Sequence, residues 1–175
     1  MKRNNLFVKN SLIAFAALLF CAQLIASDTT IIAGIKNLKT PGPNYFSGGQ
    51  PTDEQLTALA GVGVKHVINL RPASETPKLD EASLVADKAM IYHSLPVDGA
   101  AGLTLSNVKA LDQLLKQAGS EKVFLHCASG NRVGALMALR ASLIYGESTD
   151  AAIAQGKAWG LTRVEPEIRR LMGAL

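Results

Sequence analysis

The chain has 175 residues, 48% hydrophobic content and a formal charge of +4, which suits one globular domain. Residues 1–26 hold three of the 18 basic residues and none of the 14 acidic ones, so residues 27–175 carry only +1 and give no electrostatic case for a nucleic-acid partner. Past residue 26, Cys127 is the one cysteine, which excludes an internal disulfide; its thiol is either buried and inert or kept for chemistry.

The start reads as a targeting segment. Lys2, Arg3 and Lys9 precede the apolar run Ser11–Ala26, and "IASDTT" then returns to small and polar residues. That order predicts a secretory signal peptide over residues 1–26, cleaved near Ala26 or Ser27, and a single domain over 27–175. The run is short for a membrane span, which needs ~20 residues. The expected location is periplasmic or secreted, without stable membrane insertion after cleavage; an uncleaved anchor is the weaker alternative.

A Gly- and Pro-rich entry comes next, with a short strand near Tyr45-Phe46. "PTDEQLTALAGVG" predicts a helix capped by Thr52, with Gln55 completing a capping box. "VKHVINL", residues 64–70, is a β-branched run that reads as a buried strand. Residues 78–90 show helical spacing at Leu79, Ala82, Val85, Ala86 and Ala89, and 91–97 read as a second strand. A helix succeeds it with Leu105, Val108, Leu111 and Leu115 on one face. "KVFLHC" is uniformly apolar, as a central parallel strand should be. Residues 132–145 predict the next helix, and two more close the chain, the last with Pro166 near its first turn. Strands alternating with helices predict an α/β fold with a mainly parallel central sheet flanked by helices.

In such a sheet, ligands bind at the carboxyl ends of the strands. Cys127 stands at one, and "ASGN" leads from it into a helix. Free N–H groups and the dipole at that helix start favour an anion. Gly130 allows a tight turn, Arg132 offers a bidentate fork, and the same field favours thiolate over thiol. His126 either orders this loop by hydrogen bonding or is a satisfied core histidine. Arg71 and Glu75 also lie just past a strand end; they either line the pocket mouth or form a solvated pair. Asp98 reads locally as a turn residue in "VDGAAG". His66, His93 and Trp159 read as packing residues, and the scattered histidines show no metal-ligand spacing.

"HCASGNR" resembles the phosphate-binding loop of protein tyrosine and dual-specificity phosphatases, which carry His-Cys, a Gly three residues after the Cys, and an Arg. With "FSGGQPTDEQLTALAGVGVKHVINLRPASE" and "YHSLPVDG" upstream, residues 44–145 are similar to the phosphatase-like domain family first named for its fusion to β-lactamase-like hydrolases. The resemblance implies a cysteine-dependent phosphatase fold. It also implies metal-independent hydrolysis of phosphomonoesters, phosphotyrosine or other aryl phosphates among them, with no cofactor and a phosphorylated small molecule or protein as substrate. It assigns Cys127 as the nucleophile that forms a phosphocysteine, and His126 to the same catalytic loop. Ala128, Ser129, Gly130, Asn131 and Val133 would form the cradle that, with Arg132, holds the phosphoryl oxygens. Asp98 would be the general acid, and Arg71 would stand at the mouth.

Two features depart from that pattern. Four residues separate Cys127 from Arg132 where five are usual, and Val133 stands where a Ser or Thr hydroxyl usually helps the cysteine leave phosphorus. One residue is worth up to ~3.5 Å of chain, so the cradle is expected to be smaller. The shorter loop resembles the six-residue loop of rhodanese sulfurtransferases, whose cysteine carries a persulfide. A module that binds phosphate or another anion without turning it over is the third reading.

Overall fold

A computed structural model describes residues 29–174; the predicted signal peptide lies outside them. The first two strands, β1 (Lys39–Gly42) and β2 (Tyr45–Gly48), form an antiparallel pair. Helix α1 (Asp53–Gly61) starts at the expected capping box: the Thr52 hydroxyl accepts from the Gln55 N–H at 3.2 Å, and the Gln55 side chain accepts from the Thr52 N–H at 3.0 Å. Strand β3 (Val64–Asn69), a short turn at Ala73–Glu75, helix α2 (Glu81–Ala86) and strand β4 (Ile91–Ser94) come next. Then come α3 (Leu105–Ala118), β5 (Lys122–His126), α4 (Asn131–Leu143), α5 (Thr149–Ala158) and α6 (Glu165–Ala174).

The sheet runs β1-β2-β5-β3-β4, parallel except for the edge strand β1. This is the α/β fold with a mainly parallel sheet that the alternation predicts. β5 lies centrally, and Val123, Phe124, Leu125 and His126 are all fully buried. Successive side chains on a strand point to opposite faces, and the two cores show it. Val123, Leu125 and Cys127 pack with residues of α3 to α6, whereas Phe124 packs with Leu56, Leu59 and Val85 from α1 and α2. Cys127 therefore belongs to one layer and His126 to the other.

Three expectations need correction. β1 is a strand that the Pro- and Gly-bearing "KTPG" does not suggest; Pro is tolerated because the strand is at an edge. α2 is shorter than the predicted 78–90. Leu79, Ala82, Ala86 and Ala89 are exposed, while Glu81, which the spacing would put in solvent, is buried. β4 ends at Ser94 rather than at residue 97, but the chain stays beside β3: Leu95 donates to the Asn69 carbonyl at 2.9 Å and Val97 to that of Leu70 at 3.0 Å. That run carries Asp98 to the carboxyl edge of the sheet.

Candidate active site

β5 delivers Cys127 to the carboxyl edge, where its N–H donates to the Gly48 carbonyl at 3.3 Å. The chain then turns through Ala128, Ser129 and Gly130 into α4. Gly130 has φ +82°, a left-handed conformation that glycine adopts without a side-chain penalty. The turn aims two amides at the thiol: Sγ accepts from Gly130 at 3.1 Å and from Ser129 at 3.5 Å. Cys127 lies on the floor, 1% exposed. One wall is tied down by Asn37, whose Nδ2 donates to the Ser129 carbonyl at 3.1 Å, and by a bridge between Gly49 and Ser129.

Arg132, on the first turn of α4, folds over this loop into a dense set of acceptors. Nη1 donates to Glu75 Oε1 at 2.7 Å and to the Val97 carbonyl at 2.8 Å, and Nη2 donates to Glu75 Oε2 at 2.8 Å. Arg71 holds the same carboxylate from the other side, through Nε to Oε2 at 3.0 Å, and its Nη2 donates to the Glu75 carbonyl at 3.0 Å. The hydrogen bond from Arg132 holds the Glu75 carboxyl below its ordinary pKa against the cost of burial, with Arg71 adding to the effect. Burial by itself would lower the pKa of Arg132. Glu75 and the neighbouring Cys127 outweigh it, so the guanidinium is held more firmly charged.

A cavity of about 320 Å³ opens beside Arg132, with Glu75, Asp98, Leu103, Asn131 and Val164 among its walls. It joins Asp98 to Arg132 but stops short of the sulfur. Asp98 is exposed, and its loop is closed by Gly102, whose N–H donates to the Asp98 carbonyl at 2.9 Å. A Cβ at Gly102 would lie 2.5 Å from the Asp98 nitrogen, so the turn requires glycine. A larger apolar cavity, about 460 Å³, lies beside Lys122, Val62 and Phe46, at the opposite end of β5 from the thiol.

The structure thus gathers Cys127, Ser129, Gly130, Arg132, Arg71 and Asp98 at one edge of the sheet. Two predicted cradle residues differ in what their side chains do. Val133 is wholly buried in the core, leaving only its backbone for the loop. Asn131 borders the cavity, but its Oδ1 accepts from the Thr162 N–H at 2.8 Å, the Thr162 hydroxyl at 3.0 Å and the Arg163 N–H at 3.0 Å. It fastens the loop before α6 to the start of α4. Ala128 is exposed and contributes backbone.

His126 is fully buried and stacks on Phe124, centroids 5.4 Å apart at 8°. Its Nε2 lies 3.1 Å from Glu81 Oε1, yet neither ring nitrogen has a hydrogen-bond partner of acceptable geometry. The ring and the carboxylate are in close contact without a hydrogen bond, since the separation is short but the directions do not align. Gln50, Asn69 and Glu81, which surround it, carry no sequence signal: Gln50 and Glu81 stand in polar stretches that read as loop or solvent face, and Asn69 is one polar residue at the end of a run that reads as a buried strand. His66 and His93 are more than packing residues, because His66 Nδ1 lies 3.0 Å from His93 Nε2 and His66 Nε2 lies 2.7 Å from Glu121 Oε2. Among the described residues no group of three or more His, Cys, Asp or Glu side chains is arranged to hold a metal ion.

The chain is similar to known proteins in sequence and fold. It is 32% identical over 109 residues to a β-lactamase hydrolase-like protein of Agrobacterium fabrum, an alignment covering 60% of this chain but only 23% of that protein. A proposed phosphatase (DUF442) from Shewanella putrefaciens CN-32 superposes with a TM-score of 0.64 at 25% identity, covering 83% of this chain and 96% of that one. Another, from Neisseria meningitidis Z2491, gives 0.65 at 22% identity, covering 78% and 97%. A family profile described as DSP-PTPase phosphatase fused to NAD+ kinase matches residues 34–164, most of the chain and all of the site. The chain belongs to this DSP-PTPase phosphatase family.

Proposed function

We propose that the chain hydrolyses phosphomonoesters through a phosphocysteine, with Cys127 as nucleophile, Arg132 as phosphate clamp and Asp98 as general acid. The observation that carries this reading is the loop between β5 and α4. It directs two amides at the sulfur and places a fixed guanidinium beside it, at a helix start whose free N–H groups suit an anion. The Cys127 thiolate attacks phosphorus, the bond to the leaving oxygen breaks, and Asp98 gives that oxygen a proton. Water then attacks phosphorus, the P–S bond breaks, and Asp98 takes the proton from water. Inorganic phosphate leaves and both groups return to their starting states. The cavity shared by Asp98 and Arg132 is where the leaving group would lie.

The four-residue loop also favours a second reading. The two amides that face Sγ would equally stabilise a cysteine persulfide, as in sulfur transfer. The test is hydrolysis of an aryl phosphate by the purified full chain, with chelator present, beside Cys127→Ser. We expect release by the wild type and none by the variant. No release from wild-type protein with a verified reduced thiol would overturn the reading and put sulfur transfer first, with anion binding next. Asp98→Asn should slow hydrolysis by about 10²–10⁴-fold, the ordinary contribution of a general acid; an unchanged rate would remove Asp98 from the mechanism.

A further inference from the structure

The polar groups beneath the loop form one connected set that the phosphatase reading does not use. Glu81 is 3% exposed, and a buried carboxylate is costly unless its oxygens are satisfied. Oε1 accepts from Gln50 Nε2 at 2.7 Å and Oε2 from Asn69 Nδ2 at 2.7 Å, while the ring of His126 lies against Oε1. Asn69 is itself fixed, its Nδ2 reaching the Tyr92 hydroxyl at 2.9 Å and its Oδ1 accepting from the Arg71 N–H at 2.7 Å. Gln50 then reaches outward: its Oε1 accepts from Arg71 Nη1 at 2.9 Å. Arg71 holds Glu75, and Glu75 holds Arg132.

The chemistry of these links gives the chain a direction. An amide has one accepting and one donating end. Gln50 presents its oxygen to a guanidinium and its nitrogen to a carboxylate, and a flipped amide would face like with like at both ends. The negative charge of Glu81 therefore sets the orientation of Gln50, which sets Arg71, Glu75 and finally Arg132. The same oxygen, Oε1, lies against the ring of His126, the residue that immediately precedes the nucleophile. We propose that Glu81 is a positioning residue for the anion cradle, a single buried carboxylate that holds the cysteine end through His126 and the arginine end through Gln50, Arg71 and Glu75.

The inference rests on the reading of Cys127 and Arg132 as the cradle, so its test has a readout besides turnover. In proton–nitrogen spectra of the full chain, the Arg132 Nε–H resonance, assigned with Arg132→Lys, reports how firmly that side chain is held. Gln50→Leu removes both the bond to Arg71 and the bond to Glu81 Oε1 while keeping the Asn69 bond to Oε2, and Glu81→Gln removes the hub charge. We expect both to speed solvent exchange of that N–H about tenfold and to lower kcat/KM for an aryl phosphate about tenfold, as loosened positioning does. In combination with Glu75→Gln, neither should add its full effect, because all act through one chain. Should Glu81→Gln fail to fold, Gln50→Leu alone decides. An unchanged Arg132 signal, or strict multiplication of the kcat/KM losses, would overturn the proposal. A shifted Arg132 signal in protein that hydrolyses nothing would leave the positioning role standing and sink the phosphatase reading instead.

Discussion

Arg132 carries five N–H donors, and the chain itself takes three of them, with Glu75 and the Val97 carbonyl as acceptors. The Nε–H and one Nη2 hydrogen are left over from those three bonds, on a guanidinium that also interacts with Cys127, and they make a fork with the spacing of two phosphoryl oxygens. Glu75 thus selects which edge of the guanidinium is free. Glu75→Ala should release both arginines and lower kcat/KM by at least about tenfold, since a misplaced clamp costs that much or more; a variant with wild-type kinetics would show that Arg132 needs no anchor. The Glu75 carboxyl is held below its ordinary range by Arg132, so the anchor is present above the usual carboxylate pKa and is lost only as pH falls through its lowered one. Asn131 shows the opposite use of a polar side chain. Asn131→Ala would remove the acceptor of the Thr162 and Arg163 N–H groups, at about 0.5–1.5 kcal/mol for each hydrogen bond lost, so a drop in Tm is expected, measured by thermal melts. Cys127, Gly130 and Arg132 were legible in the sequence because their chemistry and spacing are local. Glu81 and Gln50 were not, because their meaning comes from partners 31 residues apart, and no helical or strand period marks a charged residue that is buried for its hydrogen bonds.

At the scale of elements, α4 is the part on which the site depends, since it begins in the cradle and ends beside α3. It is buried on most sides, including Val133, Leu136 and Leu139, and Gly134 lets the 156–161 segment come against it. A Cβ at Gly134 would lie 2.1 Å from the Leu161 nitrogen and 2.6 Å from the Gly156 carbonyl. Backbone cannot yield as a flexible side chain does, so Gly134→Ala should cost about 1–3 kcal/mol as overpacking, read from denaturant midpoints. It should also lower activity, because Gly160 in the displaced segment packs against Gly130; an unchanged midpoint would mean that the segment moves freely. β3 and β4 meet at a second sensitive place, His66 against His93. Burial, and then His66, hold His93 below the ordinary histidine pKa of about 6.5. The unfolded chain therefore takes up this proton first as pH falls. The stability is fully present above about 6.5 and declines below it. Tm should fall between about pH 7 and pH 5, and His93→Gln should flatten part of that fall. The helices other than α2, and the strands β3 and β5, were legible from apolar runs and capping. β1 was hidden by Pro41 and Gly42, which only an edge position makes compatible with a strand.

Taken whole, the molecule places two separate apolar cores on the two faces of one sheet and brings the ends of β5, β3 and the run after β4 to one edge. Nearly every group that frames the cradle comes from a different element: Asn37 before β1, Gly49 after β2, Glu75 after β3, Val97 after β4 and Arg132 on α4. An anion bound there should therefore act on the fold as a unit rather than on one loop. A ligand that binds only the folded state adds RT ln(1 + [L]/Kd), about 2.7 kcal/mol at a hundredfold excess over Kd. For a domain of this size each kcal/mol moves Tm by roughly 2–4 °C, so saturating inorganic phosphate should raise it by about 5–10 °C. Cys127→Ser should keep that shift, because it retains the amides and Arg132, whereas Arg132→Met should lose most of it. A shift that survives Arg132→Met and follows ionic strength instead would mean that phosphate acts on the surface at large. The cradle would then need another ligand.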